Sequence, residues 1–71
     1  MKKVFVFKTS VKTNRQIKFA SKILAAIDSV LRVDFDPEDC DRIVRIESNK
    51  EIAAKVINLF RANGINCEEL V

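Results

Sequence analysis

Lys3-Val4-Phe5-Val6-Phe7-Lys8 and, four residues further on, Thr13-Asn14-Arg15-Gln16 together set how the rest of the chain must fold. The first stretch is rich in β-branched and aromatic residues and too short for a helix, so it reads as a strand. Alternate residues of a strand share a face, which groups Lys2, Val4, Val6 and Lys8 against Phe5, Phe7, Thr9 and Val11. Turning the lysine-bearing set inward would bury charge, so the two rings should face the core. The second stretch has the form of a capping box, in which the Thr13 hydroxyl accepts from a first-turn N–H and the Gln16 side chain reaches back to the Thr13 N–H. A helix begins there. Ile17, Ala20, Ile23, Leu24 and Ile27 recur at three- and four-residue spacing and form its buried stripe, leaving Lys18, Ser21, Lys22 and Ala25 in water until Asp28-Ser29 ends it.

The remaining segments repeat this alternation of strand and helix. Leu31, Val33 and Phe35 alternate with Arg32, Asp34 and Asp36, as in a half-buried second strand, and Asp36-Pro37-Glu38-Asp39-Cys40-Asp41 is an acidic turn. Arg42 to Glu47 reads as the third strand, with Val44 and Ile46 inward and Ile43 and Arg45 outward beside Val4 and Val6. Ser48-Asn49-Lys50-Glu51 has the form of a second capping box, opening a helix that turns Ile52, Ala53, Val56, Ile57, Leu59 and Phe60 inward. Asn63-Gly64 closes it, the lone glycine standing where a left-handed cap is needed. Ile65 to Leu70 supplies an edge strand.

Two amphipathic helices and four strands in βαββαβ order have one economical packing, an α+β ferredoxin-like domain. Both helices cover one face of an antiparallel sheet of order 4-1-3-2, joined by right-handed split crossovers. The loop after the first strand, the Pro37 turn and Gly64 then gather at one end of the sheet. The 71 residues make a single domain over 1–71; a chain of this size buries only about 60% of its unfolded surface, so its core is small.

Helix-sized apolar runs of about 20 residues, as needed to cross a bilayer, are absent, and the apolar run at the N-terminus is too short for a signal peptide, which points to the cytoplasm. Cys40 and Cys67 are the only cysteines and stand 27 residues apart, so neither a disulfide framework nor a C-x-x-C pair exists and both read as reduced thiols. Charge is segregated: residues 1–27 carry seven bases and no acid, whereas residues 28–71 carry all ten acids against six bases. A field of that shape steers encounters with an acidic partner, beside its plain role of keeping a small domain solvated.

Leu24-Ala25-Ala26-Ile27-Asp28-Ser29-Val30 resembles the Leu-x-x-Leu-Pro-Gly-Val helix ending of heavy-metal-associated (HMA) domains. Val33-Asp34-Phe35-Asp36 is similar to their alternating strand, and Gly64-Ile65 to the Gly-Tyr step before their last strand. Counting back from Leu24 places Ser10-Val11 on the family's Gly-Met and puts Thr13 and Gln16 where its two metal-binding cysteines stand. The resemblance spans nearly the whole chain and implies the ferredoxin-like fold. It departs at the chemistry, because soft ions such as Cu(I) are selected by thiolates, and a hydroxyl and an amide do not replace two anionic sulfurs. Family-type metal transfer is therefore not expected, no cofactor is implied, and helix capping accounts for Thr13 and Gln16.

What the resemblance leaves is electrostatic docking, which the family's carriers use on their partners. The expected surface is Lys8, Lys12, Arg15, Lys18 and Lys22, beside a helix start whose unpaired N–H groups and positive dipole end attract anions. The function expected is thus a small protein-interaction or regulatory module with an acidic protein partner, present as a monomer or a weak homodimer formed through the Val4, Val6 and Ile43 patch. Two alternatives stay open. Weak metal capture by Cys40 is one, and single-stranded RNA binding is the other, since Lys3-Val4-Phe5-Val6 resembles the first-strand motif of RNA-recognition domains. Arg42-Ile43-Val44-Arg45-Ile46-Glu47 argues against the latter because it lacks the aromatic and glycine residues of the longer second motif. An enzyme is not expected: there is no histidine, no Ser or Cys paired with a base, and the acidic turn has too few spaced ligands for a calcium loop.

Overall fold

A computed structural model describes residues 2–36, 38 and 40–70. Its elements run β1 (Lys3–Thr9), α1 (Asn14–Ala25), β2 (Val30–Asp36), β3 (Ile43–Ser48), α2 (Ala53–Ala62) and β4 (Cys67–Glu69). The strands form one antiparallel sheet of order β2-β3-β1-β4, the expected 4-1-3-2 arrangement. β1 and β3 lie at its centre, in register from Lys3 opposite Ser48 to Lys8 opposite Ile43.

Facing follows the alternation of β1. Phe5, Phe7 and Thr9 are buried while Val4 is 60% exposed. The Phe5 and Phe7 rings stand 6.5 Å apart on one side of the strand, which puts both in a cluster with Val44, Ile46, Leu24, Val56 and Phe60, against which Phe35 packs. Burying one such ring contributes about 2–3 kcal/mol, so this stripe is what holds the helices to the sheet. α2 ends in a Schellman arrangement: Ile65 N–H donates to the Phe60 carbonyl at 2.9 Å and Gly64 N–H to the Arg61 carbonyl at 3.1 Å. Gly64 sits at φ +77°, the left-handed conformation that the motif requires.

Four features differ from the expectation. A bulge between Val30 and Arg32 makes Leu31 the extra residue of β2, so Val30 joins Val33 and Phe35 against the core and Leu31 is left 55% exposed. Ile43 lies on the open face yet is buried, outside the main core cluster, because neighbouring strands flank it with Lys8 and Asp36. Ser48 does not cap α2: it is the last residue of β3, paired with Lys3 on one side and Val30 on the other, and its hydroxyl accepts from Lys50 N–H in the following turn. The helix starts later, from Ile52, with no side-chain cap. Finally, β4 is only three residues long, because Ile65 is held by the helix cap and pairing starts at Cys67. Within the acidic turn, Pro37 and Asp39 lie outside the described residues.

Candidate functional site

The β1–α1 loop is tied down on both sides. Thr9 N–H donates to the carbonyls of Asp41 and Arg42, and the Thr9 hydroxyl donates to the Arg42 carbonyl at 2.8 Å while accepting from Val11 N–H. These bonds hold Arg42 at φ 49°, a conformation unusual for a residue with a side chain. On the other side Ser10 N–H donates to the Asn66 carbonyl, and the Ser10 hydroxyl accepts from Asn66 N–H at 3.0 Å. The three loops at this end of the sheet therefore form one hydrogen-bonded platform built from the chain alone.

Thr13 and Gln16 form the capping box at its rim. Gln16 N–H donates to the Thr13 hydroxyl at 3.1 Å, and the Gln16 side-chain carbonyl accepts from the N–H groups of Thr13 and Lys12. Both polar side chains are thus engaged in starting α1. The same bonds narrow the expectation of an open helix terminus, since the Gln16 amide is already satisfied. Attraction for an anion at this place then comes from the positive end of α1 together with the basic side chains around it.

The five expected docking cations separate into two groups. Lys8 alternates with the buried Phe7 and Thr9, so it belongs to the open sheet face, where its ammonium lies 3.7 Å from Asp41. Lys12, Arg15, Lys18 and Lys22 stay together and exposed along the loop and the outer side of α1. Three- and four-residue spacing puts Arg15, Lys18 and Lys22 on the side of the helix away from Ala20 and Leu24. No acid occurs in α1, and none of the four makes an ion pair among the described residues. Phe19, 46% exposed, stands among them. Its position was readable from the sequence as out of phase with Ile17, Ala20, Leu24 and Ile27, but an isolated phenylalanine does not announce whether it is covered by a neighbouring element.

The open sheet face is differently built. Most of its cations are paired, Lys2 with Glu47 at 2.9 Å and Arg32 with Asp34 at 3.0 Å, while the exposed Arg45 has no ion pair among the described residues. Across the strands Val6 lies opposite Arg45, and Arg45 opposite Asp34, so the apolar residues expected to form a patch are interspersed with charge.

The two thiols sit in different settings. Cys40 is exposed in the turn before β3, and Cys67 is buried. Burial pushes the Cys67 thiol up from 9.0 to about 11, with the Arg61 charge acting the other way. Among the described residues no three His, Cys, Asp or Glu side chains converge on a common point. A hydrogen-bonded hydroxyl and amide at Thr13 and Gln16 do not fit a soft cation.

Solved structures share this architecture. The apo-form of the N-terminal domain of ZntA superposes with a TM-score of 0.88 over all of this chain and 96% of that one, at 11% identity. Oxidized MerP from Ralstonia metallidurans CH34 gives 0.84 over the whole of both chains at 12% identity. The apo HMA domain of the copper chaperone for superoxide dismutase gives 0.81 over all of this chain and 69% of that one, at 15% identity. No protein family model matches the sequence, and no curated protein matches it. The chain has the ferredoxin-like fold of HMA domains.

Proposed function

We propose that this chain is a docking module that receives an acidic segment of a protein partner on the outer face of α1, with a loop that no longer carries a soft metal ion. One observation carries the reading: Lys12, Arg15, Lys18 and Lys22 are exposed together along a helix that holds no acid, with no ion pair among the described residues, whereas on the sheet side Lys2, Lys8 and Arg32 each have an acid partner and only Arg45 has none among those residues. Unpaired, like-charged side chains repel one another and gain when an anion arrives, mostly in encounter rate and orientation. Phe19 adds an apolar contact at the middle of the array. Lys8 is left out of this surface because its face of the sheet is opposite.

The loop supports the second half of the reading. Thr13 and Gln16 are occupied by the capping box, and the hydrogen bonds of Thr9 and Ser10 tie the loop to its neighbours. A nucleic-acid surface is less well supported, because the outward residues of β1 and β3 are Val4, Val6, Lys8, Ile43, Arg45 and Glu47, with no ring on which a base would stack.

The test is a titration of ¹⁵N-labelled protein with an oligo-glutamate peptide. Shifts should map to residues 12–22, weaken as salt rises from about 50 to 200 mM, and disappear in the Lys12→Glu, Arg15→Glu, Lys18→Glu triple variant with its fold intact. Shifts that survive the triple reversal would reduce this face to a solvated surface. A tight one-to-one Cu(I) complex that persists in Cys40→Ser would overturn the loss of the metal site.

A further inference from the structure

β2 is an edge strand of seven residues, paired with β3 on one side and with nothing described on the other. Long edges present unpaired backbone groups and serve as templates for another strand unless blunted. Here the bulge blunts only the start of the strand, at Val30 and Arg32, and the pairing with β3 is regular from Arg32 to Asp36. Beside the edge runs a groove of about 400 Å³ between β2 and α1, walled by the small side chains of Ser21 and Ala25 and by Leu31 and Val33. Leu31, the bulged residue, is 55% exposed at its border.

The order of side chains along this edge indicates what would cover it. Antiparallel pairing of two copies about a two-fold axis through Val33 sets Arg32 of one copy opposite Asp34 of the other, and Asp34 opposite Arg32. Both residues lie on the open face, already joined within the chain at 3.0 Å, so two copies would build a four-charge cluster of alternating sign. On the helix face the same register sets Val33 opposite Val33 and brings Leu31 toward Phe35 of the second copy, over the groove. The edge is self-complementary in charge and in apolar contact, as an isologous interface requires.

We propose that β2 is a homodimer edge, at which two copies join antiparallel into one eight-stranded sheet. Stable interfaces bury roughly 1,200 Å² or more, and a contact confined to one seven-residue strand edge is that of a weak, concentration-dependent dimer. It is centred on the β2 edge, and of α1 it involves only the groove wall of Ser21 and Ala25. The patch formed by Val4, Val6 and Ile43 takes no part in it.

Sedimentation of the whole chain from about 10 μM to 1 mM, a span suited to a weak interface, should give a mass rising from monomer toward dimer. Arg32→Asp and Asp34→Arg, each placing like charges across the axis, should both sediment as monomers. Mixed in equal amounts they should associate, because the two carboxylates that the first variant carries on this edge then meet the two guanidinium groups of the second. The double variant Arg32→Asp, Asp34→Arg should again self-associate. These positions are exposed, and circular dichroism of each variant is the check that it is folded. A parent that stays monomeric throughout overturns the proposal. So does a dimer indifferent to these substitutions, which would place the contact elsewhere, on the open-face patch or on α1.

Discussion

Thr13 and Ser48 each head a four-residue stretch of the same type, Thr13-Asn14-Arg15-Gln16 and Ser48-Asn49-Lys50-Glu51, and each precedes an amphipathic helix. At the first, both reciprocal bonds form and α1 starts at the next residue. At the second, the serine is fully buried in β3 between Lys3 and Val30, its hydroxyl turns to Lys50 N–H, and α2 waits until Ala53. The difference lies in what surrounds the cap residue. Thr13 stands in an exposed loop with its backbone at liberty to take the extended cap conformation, while Ser48 is claimed by strand partners on both sides. α1 is therefore started by local hydrogen bonds and α2 by the burial of Ile52 and Ala53. This division also shapes the surface, because a helix started by its own side chains can project an uncovered cationic face from its first turn.

The largest expected effect tests the burial half of that contrast. Ile52→Ala should cost about 2–5 kcal/mol in urea unfolding, the range for truncating a buried isoleucine, and Ile52→Ser should remain destabilising although it supplies a capping hydroxyl. A stabilised Ile52→Ser variant would mean that the missing cap, and not burial, limits the start of α2. At the other end of the same helix the determinant is local. Gly64→Ala meets no atom within 4 Å of the added Cβ, so its cost should be the left-handed backbone alone, about 1–2 kcal/mol; an unchanged midpoint would show that the cap relaxes. Next in size, Thr13→Ala should lose about 1 kcal/mol and raise hydrogen exchange in the first turn of α1. Smallest is Glu51→Ala, whose carboxylate makes only an exposed 3.9 Å pair with Lys3 and should stay within about 0.5 kcal/mol. A loss equal to that of Gln16→Ala would reveal a second capping box in solution.

Thiol titration adds a comparison of another kind, between exposed and buried sulfur. Because Cys67 is raised to about 11 in the folded protein against 9.0 as its ordinary value, unfolding releases a proton where folding retains it. Its share of stability is therefore complete below pH 9 and lost as pH rises from about 9 to 11. The difference in stability between parent and Cys67→Ala should shrink across that window and be flat below it.

Much of the candidate site could be read before any coordinates. The capping box of Thr13 and Gln16, the phase of Arg15, Lys18 and Lys22 on α1, the inward rings of Phe5 and Phe7 and the left-handed Gly64 each depend on residues within one or two turns or on the two-residue period of a strand. Chemistry and spacing at that range determine the outcome because the interacting groups are covalently held near one another. Other features depended on distant chain. Ser48 left its helix because Lys3 and Val30 pair with it, Leu31 was expelled from the core because β2 carries an extra residue against β3, and Lys8 was parted from the other cations because β1 places it across the sheet from α1. Phe19 remained exposed because no second element among the described residues packs over the outer face of α1. In each of these cases the residue's own preferences are satisfied equally well by two arrangements, and the choice falls to hydrogen bonds and burial contributed by segments far away in sequence, which exist only once the sheet has assembled.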